Sequence, residues 1–319
     1  MIAIPFSVVE KSIVYFNPRI QSYQNDLQKQ LLKILTDKRL NPSKRKYVKT
    51  LLGISSNVIT AKPSTLEKYR RTFDKIIDPK TMKSAAYKSF RIRIINALGY
   101  ADRRRDFYPV YFQSIGIKAC IYCNSMLTVT VERISGAKNK KSIQARFQVD
   151  HYLPKSEYPC FSISLYNLYP SCSSCNNVKS TSSVSFKLYE EGSKIRGSSF
   201  YFDLNMISVA DYLLYRNNEM IIYNYKEPSA PKNNKTFQEV FAIQGIYDTQ
   251  KDIAEELILK AEIYTSTYKD TLTKKYPKIL TTSSITNRLL LGNYTNEKDI
   301  HKRPMAKFMI DIAKQVGLI

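Results

Sequence analysis

Two Cys-x-x-Cys pairs, Cys120-Ile121-Tyr122-Cys123 and Cys172-Ser173-Ser174-Cys175, stand 48 residues apart in the chain. In each pair a tight turn brings both sulfurs to one side, and two such turns complete a four-thiolate zinc site. Two disulfides or a redox pair are the competing readings. Residues 1–9 show no basic start followed by an apolar run, so no secretory signal is visible and structural disulfides are disfavoured. A filled tetrahedral site has no open position for water, so this zinc is expected to be structural. Cys160, the fifth cysteine, is expected to be a buried, inert thiol.

Between the pairs lies a second set of residues. Val149-Asp150-His151-Tyr152-Leu153-Pro154-Lys155-Ser156 ends an expected strand, and Tyr166-Asn167-Leu168-Tyr169-Pro170 follows. Asn176-Asn177-Val178-Lys179 comes directly after Cys175, and His151 is one of only two histidines. A carboxylate beside a histidine says little alone, since neighbours on a strand point to opposite faces. A zinc knuckle followed at once by Asn-x-x-Lys adds much more.

Over residues 115–183 this pattern resembles the HNH endonuclease superfamily, whose core is the ββα-metal fold. The matching pieces are CxxC, Asp-His-x-x-Pro-x-Ser, Asn-Leu-x-Pro and CxxCN-x-x-K. The separation of Asn167 from Asn176 is also similar to that in the HNH domains of RNA-guided CRISPR nucleases. Asn176 departs from the name-giving histidine of many members, and an amide oxygen suits Mg²⁺ or Mn²⁺ better than Zn²⁺.

The resemblance implies metal-dependent hydrolysis of a phosphodiester. His151 would act as general base near neutral pH. Asn167 would hold the imidazole in its working tautomer. Asp150 and Asn176 would share one divalent cation, serving as Lewis acid and template. Lys179, about one helical turn beyond Asn176, would reach the phosphate, with Arg146 a weaker candidate for the same task. Zinc at Cys175 would fix the start of the helix that carries Asn176, in a unit too small to be stabilised by burial alone.

The elements that must position these residues read as α+β: a mainly helical chain enclosing a small, zinc-stabilised ββα-metal core. Three regions are expected: 1–114, basic and helical; 115–183, the nuclease core; 184–319, mainly helical and packed on the core as one body. Leu27, Leu31, Leu32, Ile34 and Leu35 share a helical face. Ser64-Thr65-Leu66-Glu67 has capping-box form. A helix over about 82–98 is expected to stop at Gly99, and another to start near Ala101 with Arg103, Arg104 and Arg105 in its first turn. Basic residues there would oppose the helix dipole and favour an external anion. Leu127–Ile134 and Ala145–Leu153 are expected to form a hairpin around a basic turn, Gly136–Ser142. Residues 171–183 are too polar for an ordinary core helix. A helix is expected over 248–268, a loop over 228–235, and a final helix starting at Pro304 with Met305, Phe308, Met309, Ile312 and Val316 facing inward.

The 319 residues carry 50 Lys and Arg against 27 Asp and Glu, a net charge of +23. Residues 1–119 hold 24 of the basic residues and 8 of the acidic ones, while residues 120–183 hold only 7 and 3. Such an excess fits a polyanion, and double-stranded DNA is the expected partner. Arg70, Arg71, Arg103, Arg104, Arg105 and Arg146 are the candidate nucleic-acid contacts. Tyr69, Tyr108 and Tyr111 are candidate base-stacking groups. His301 is expected to face solvent or cap the last helix. No run of about 18 apolar residues is present, so no membrane span is expected and the location is read as cytoplasmic. A weaker resemblance, to HNH nucleases of bacterial anti-phage systems, implies control by a separate ATPase or sensor; no GxxxxGK[ST] loop occurs in this chain. The alternative is a non-catalytic zinc module that binds nucleic acid or a protein partner.

Overall fold

The computed structural model describes residues 2–135, 140–180, 182–191, 198, 200–232 and 234–319. The chain is α+β, mainly helical, with small two-stranded sheets. After a two-residue strand, Ile4–Pro5, the chain to residue 114 is a succession of helices. In Asn17–Leu35 the buried positions are Ile20, Leu27, Leu31 and Ile34, a stripe at helical spacing. Leu32 lies off that stripe and is exposed. The helix Pro63–Asp74 starts with proline in its first turn, where the missing N–H costs nothing. The capping box does not form: Lys62 is the N-cap, and Glu67 instead pairs with Arg70 and Arg71.

The stretch 82–98 is broken into Pro79–Lys83, a short 3₁₀ turn and Lys88–Ala97. Gly99 then takes φ 63°, which glycine adopts without a Cβ penalty, and leads into Tyr100–Asp106. Arg103, Arg104 and Arg105 occupy the last turn of that short helix, not the first, with Asp102 in the first. The expected dipole conflict is therefore reversed, because the helix begins and ends earlier than the arginine run suggested.

The expected single hairpin is divided. Thr130–Ser135 pairs with Lys140–Ala145, and Gln148–His151 pairs instead with Leu168–Ser171. The change of partner falls at Arg146-Phe147, where Arg146 N donates to Val129 O. Residues 136–139 of the expected basic turn lie outside the described residues. The connection from 152 to 167 is compact and largely buried, built around 3₁₀ turns Pro159–Phe161 and Leu165–Asn167. Ser173–Lys179 is a helix despite its polarity, with Cys175 and Lys179 as its buried positions.

In residues 200–319, the hairpin Tyr201–Leu204 and Tyr223–Lys226 packs on the final helix Ala306–Gln315. That helix starts two residues after Pro304, behind Met305 at φ 62°. Its buried positions include Phe308, Ile310, Ile312 and Ala313. The expected helix 248–268 is two helices, Lys251–Ile263 and Ser266–Lys275. Residues 228–232 and 234 form a loop, with 233 outside the described residues. One continuous apolar core draws residues from all three sequence regions. Among the described residues no helix is long and apolar enough to cross a membrane.

Candidate active site and metal centre

The metal-ligand candidates meet as the spacing predicts. The sulfurs of Cys120, Cys123, Cys172 and Cys175 all lie within 4.8 Å of one another, and all four residues are buried. Backbone N–H groups of Cys172 and Cys175 point at Cys120 Sγ and Cys172 Sγ, 3.3 and 3.4 Å away. Ser125 Oγ donates to Cys123 Sγ at 3.1 Å. Donors aimed at sulfur stabilise thiolate. Hydrogen bonding by Cys120 first, then by Cys172 and Cys175, draws the Cys123 thiol far below its ordinary value, while contacts with Cys120, Cys123 and Cys172 push Cys175 far up. Cys172 is drawn down as well, first by Cys120, while burial pushes Cys120 up, so the protein alone favours two thiolates and resists the other two. Four buried sulfurs this close need a cation to ionise together, and the set fits a tetrahedral ion such as zinc. Cys160 is buried and unpaired, and burial raises its thiol pKa.

The first knuckle is braced from a distance. Asn124 takes φ 54° just after Cys123, and its N–H closes on Cys120 O at 2.9 Å. Its side chain donates to Ile300 O at 2.8 Å and accepts from Lys307 N at 3.1 Å. His301 is buried, contrary to expectation: its O accepts from Lys118 N and Ala119 N, and its Nε2 bonds Ile2 O at 2.6 Å.

The strand Gln148–His151 and the helix Ser173–Lys179 face each other through two pairs of side chains. Gln148 and Asp150, two apart, share one strand face. Asn176 and Lys179, three apart, share one helix face. Asn176 Nδ2 donates to Gln148 Oε1 at 2.5 Å, and Lys179 Nζ lies 2.9 Å from Asp150 Oδ2. Tyr122 Oη also donates to Asp150 Oδ2, at 2.5 Å. Lys179 is therefore a buried counter-ion to Asp150, not a group extended towards solvent. With Oδ2 and Nδ2 engaged, Asp150 Oδ1 and Asn176 Oδ1 have no protein partner among the described residues, and neither is among the enclosed polar atoms. Two free oxygen donors on facing elements suit a hard cation such as Mg²⁺ or Mn²⁺.

His151 ends the strand, with Nε2 3.1 Å from Ser162 O. That carbonyl is an acceptor, so Nε2 carries the proton and Nδ1 keeps its lone pair. Nδ1 has no protein partner among the described residues and is not enclosed. Burial, then the Lys155 charge, lowers the imidazole pKa to about 4, so the ring is neutral near pH 7. The tautomer-holding role expected of Asn167 falls to Ser162 instead. Asn167 clamps the loop after the strand: Leu153 N donates to its Oδ1 at 2.7 Å, and its Nδ2 donates to Leu153 O and Phe161 O. A side-chain amide reaches two carbonyls and an N–H at once, which a buried turn requires.

The arginine candidates divide. Arg103 is buried, donating to Leu98 O and Tyr23 O with its guanidinium 4.3 Å from the Tyr23 ring centroid. It is a structural residue and offers nothing to a nucleic acid. Arg70 is half-buried against Glu67 and Asp74; Arg71 is exposed and tied to Glu67, and Arg105 exposed and tied to Asp102. Arg104 and Arg146 are exposed without an acidic partner among the described residues. Tyr108 and Tyr111 are fully buried and Tyr69 partly so, which removes the first two from any stacking role.

Sequence reasoning missed Tyr122, Gln148, Ser162 and Tyr100 (ring centroid 5.2 Å from that of His151). Strand alternation back from Asp150 points to Gln148. Nothing local points to Ser162 or Tyr100. No family model, curated protein or solved structure matches the chain.

Proposed function

We propose that the chain is a metal-dependent endonuclease of the HNH type that hydrolyses phosphodiester bonds in DNA. The carrying observation is the set of electron pairs without a partner among the described residues, on Asp150 Oδ1, Asn176 Oδ1 and His151 Nδ1, borne by a two-stranded sheet and the helix after it. A binding module has no use for such a set. His151 Nδ1 would take the proton of the attacking water while Ser162 O holds the ring. A divalent Mg²⁺ or Mn²⁺ held by Asp150 and Asn176 would supply Lewis-acid stabilisation of the phosphate and the leaving oxygen. Lys179 serves by holding Asp150 in place. The four cysteines, with zinc, would fix the helix start beside Asn176. On this reading the whole is a nuclease suited to anti-phage defence, its activity governed by an ATPase or sensor partner.

The test is cleavage of plasmid DNA with Mg²⁺ or Mn²⁺, with and without chelator, by the wild type and by His151→Ala. Cutting by the wild type alone, with DNA binding kept in the variant, supports the assignment. Equal cutting by both proteins removes His151 as base. Metal-dependent cutting by neither protein returns the chain to the binding-module reading.

A further inference from the structure

A groove of about 890 Å³ runs between the helix Tyr100–Asp106 and the strand Lys140–Ala145. One wall is Tyr100, Arg104 and Arg105; the other is Ile143, Ala145 and Phe147. Tyr100 closes the end nearest His151. Across the same ring lies Lys155, its Nζ 4.6 Å from the ring centroid.

Lys155 and Arg104 meet at Tyr100: Arg104 lies one helical turn beyond it on the same groove wall, and Lys155 lies over its ring. Most neighbours of Arg104 are neutralised: Arg105 by Asp102 and Arg19 by Asp106. Lys155 and Arg104 have no acidic partner among the described residues, and the charge of Arg104 acts on Lys155. Burial, and then Arg104, pulls the Lys155 pKa down, with only a weaker opposing pull from Asp150. Two cations held together without an anion are poised for one. A phosphate between them would relieve their repulsion and gain charge-assisted hydrogen bonds. Tyr100 is only 6% exposed, so it offers its face to the ammonium and has no room to stack a base.

We propose that Lys155 and Arg104, both adjoining Tyr100, form a phosphate subsite that holds the nucleic-acid backbone at the Tyr100 end of this groove, next to His151. The apolar wall of Ile143, Ala145 and Phe147 faces the sugar side of the strand. Contact through phosphate and sugar makes binding independent of sequence. The proposal rests on the nuclease reading only for what happens at His151; the subsite itself is a statement about binding.

The experiment measures binding of a labelled DNA duplex in chelator, where no cutting occurs, across a salt series. The proteins are the wild type, Lys155→Met, Lys155→Arg and Arg104→Gln. Each lost cation is expected to flatten the log–log salt slope by about 0.9, while Lys155→Arg keeps the wild-type slope. Lys155 and Arg104 are both exposed, so the two neutralised variants test the subsite independently without a buried position being changed. Cleavage is read in parallel with Mg²⁺, where Lys155→Met is expected to raise KM and leave kcat nearly unchanged. Unchanged slopes in both neutralised variants overturn the subsite, even if the wild type cuts DNA. Flattened slopes with a wild type that cuts nothing uphold the subsite and sink the nuclease reading instead. A wild type that does not bind DNA overturns the subsite directly.

Discussion

Asp150→Asn is the natural variant for testing a metal ligand, and the structure predicts that it does more than remove one. Asp150 and Lys179 are both buried, 2.9 Å apart, and the carboxylate also receives Tyr122 Oη. Losing the charge at 150 strands an ammonium that is 3% exposed. Breaking such a pair from one side destabilises by about 3–5 kcal/mol. At about 2.1 cal/mol/K per residue, a 319-residue chain unfolding in one step has an unfolding entropy near ~0.7 kcal/mol/K. Asp150→Asn is therefore expected to lower Tm by about 4–7 °C. Lys179→Met alone strands the carboxylate and lowers Tm by a similar amount. The double variant removes both charges and is expected to return to within about 1 kcal/mol of the wild type, because the pair's desolvation cost disappears with it. Cleavage behaves differently, remaining absent in the double variant. Thermal melts of all four proteins give the coupling energy, and plasmid cleavage gives the activity. A Tm for Asp150→Asn within 1 °C of the wild type refutes the buried-pair reasoning.

Three further outcomes are expected. Elemental analysis should find about one zinc per chain, and Cys172→Ser should lose it together with several kcal/mol of stability; a zinc-free wild type removes the four-cysteine centre. His301, held to a pKa of about 4 chiefly by burial, takes up its proton in the unfolded chain first, near pH 6.5. Its contribution is thus complete above about pH 6.5 and declines as pH falls towards 4, by about 3 kcal/mol in all; denaturant melts of wild type and His301→Gln should diverge less at pH 4.5 than at pH 7.5, and a constant difference contradicts this. Arg103→Gln should lower Tm, because Leu98 O and Tyr23 O lose a buried donor, while leaving the salt slope of DNA binding unchanged.

The centre was legible where chemistry is local. A CxxC turn decides on its own that two sulfurs converge, and Asn-x-x-Lys decides that Asn176 and Lys179 share a helix face. Which way a charged or aromatic side chain faces is not local. Arg103 is buried because Tyr23, 80 residues earlier, lies beneath it. His301 is buried because Ile2 O lies 2.6 Å away. The split of the expected hairpin has the same origin. Residues 145–153 alternate well enough for one strand, and only the pairing of Gln148–His151 with Leu168–Ser171 shows that they serve two sheets. The mutual role of Asp150 and Lys179 was misread for a related reason: spacing brings a lysine to the site but does not reveal that a carboxylate already holds it.

The bracing of Asn124 by Ile300 and Lys307 has a consequence for how the protein comes into being. The first pair of thiols is shaped by groups 176 and 183 residues further along. At translation rates of about 5–20 residues per second, those groups are made on the order of ten to forty seconds after Cys123. Throughout that interval the knuckle lacks its partners, and a metal ion meets loose thiols in place of a finished cage. The bracing of the first knuckle is therefore complete only once the helix Ala306–Gln315 has arrived. The finished shape of that knuckle is thus a property of the whole chain and not of the segment that carries its thiols.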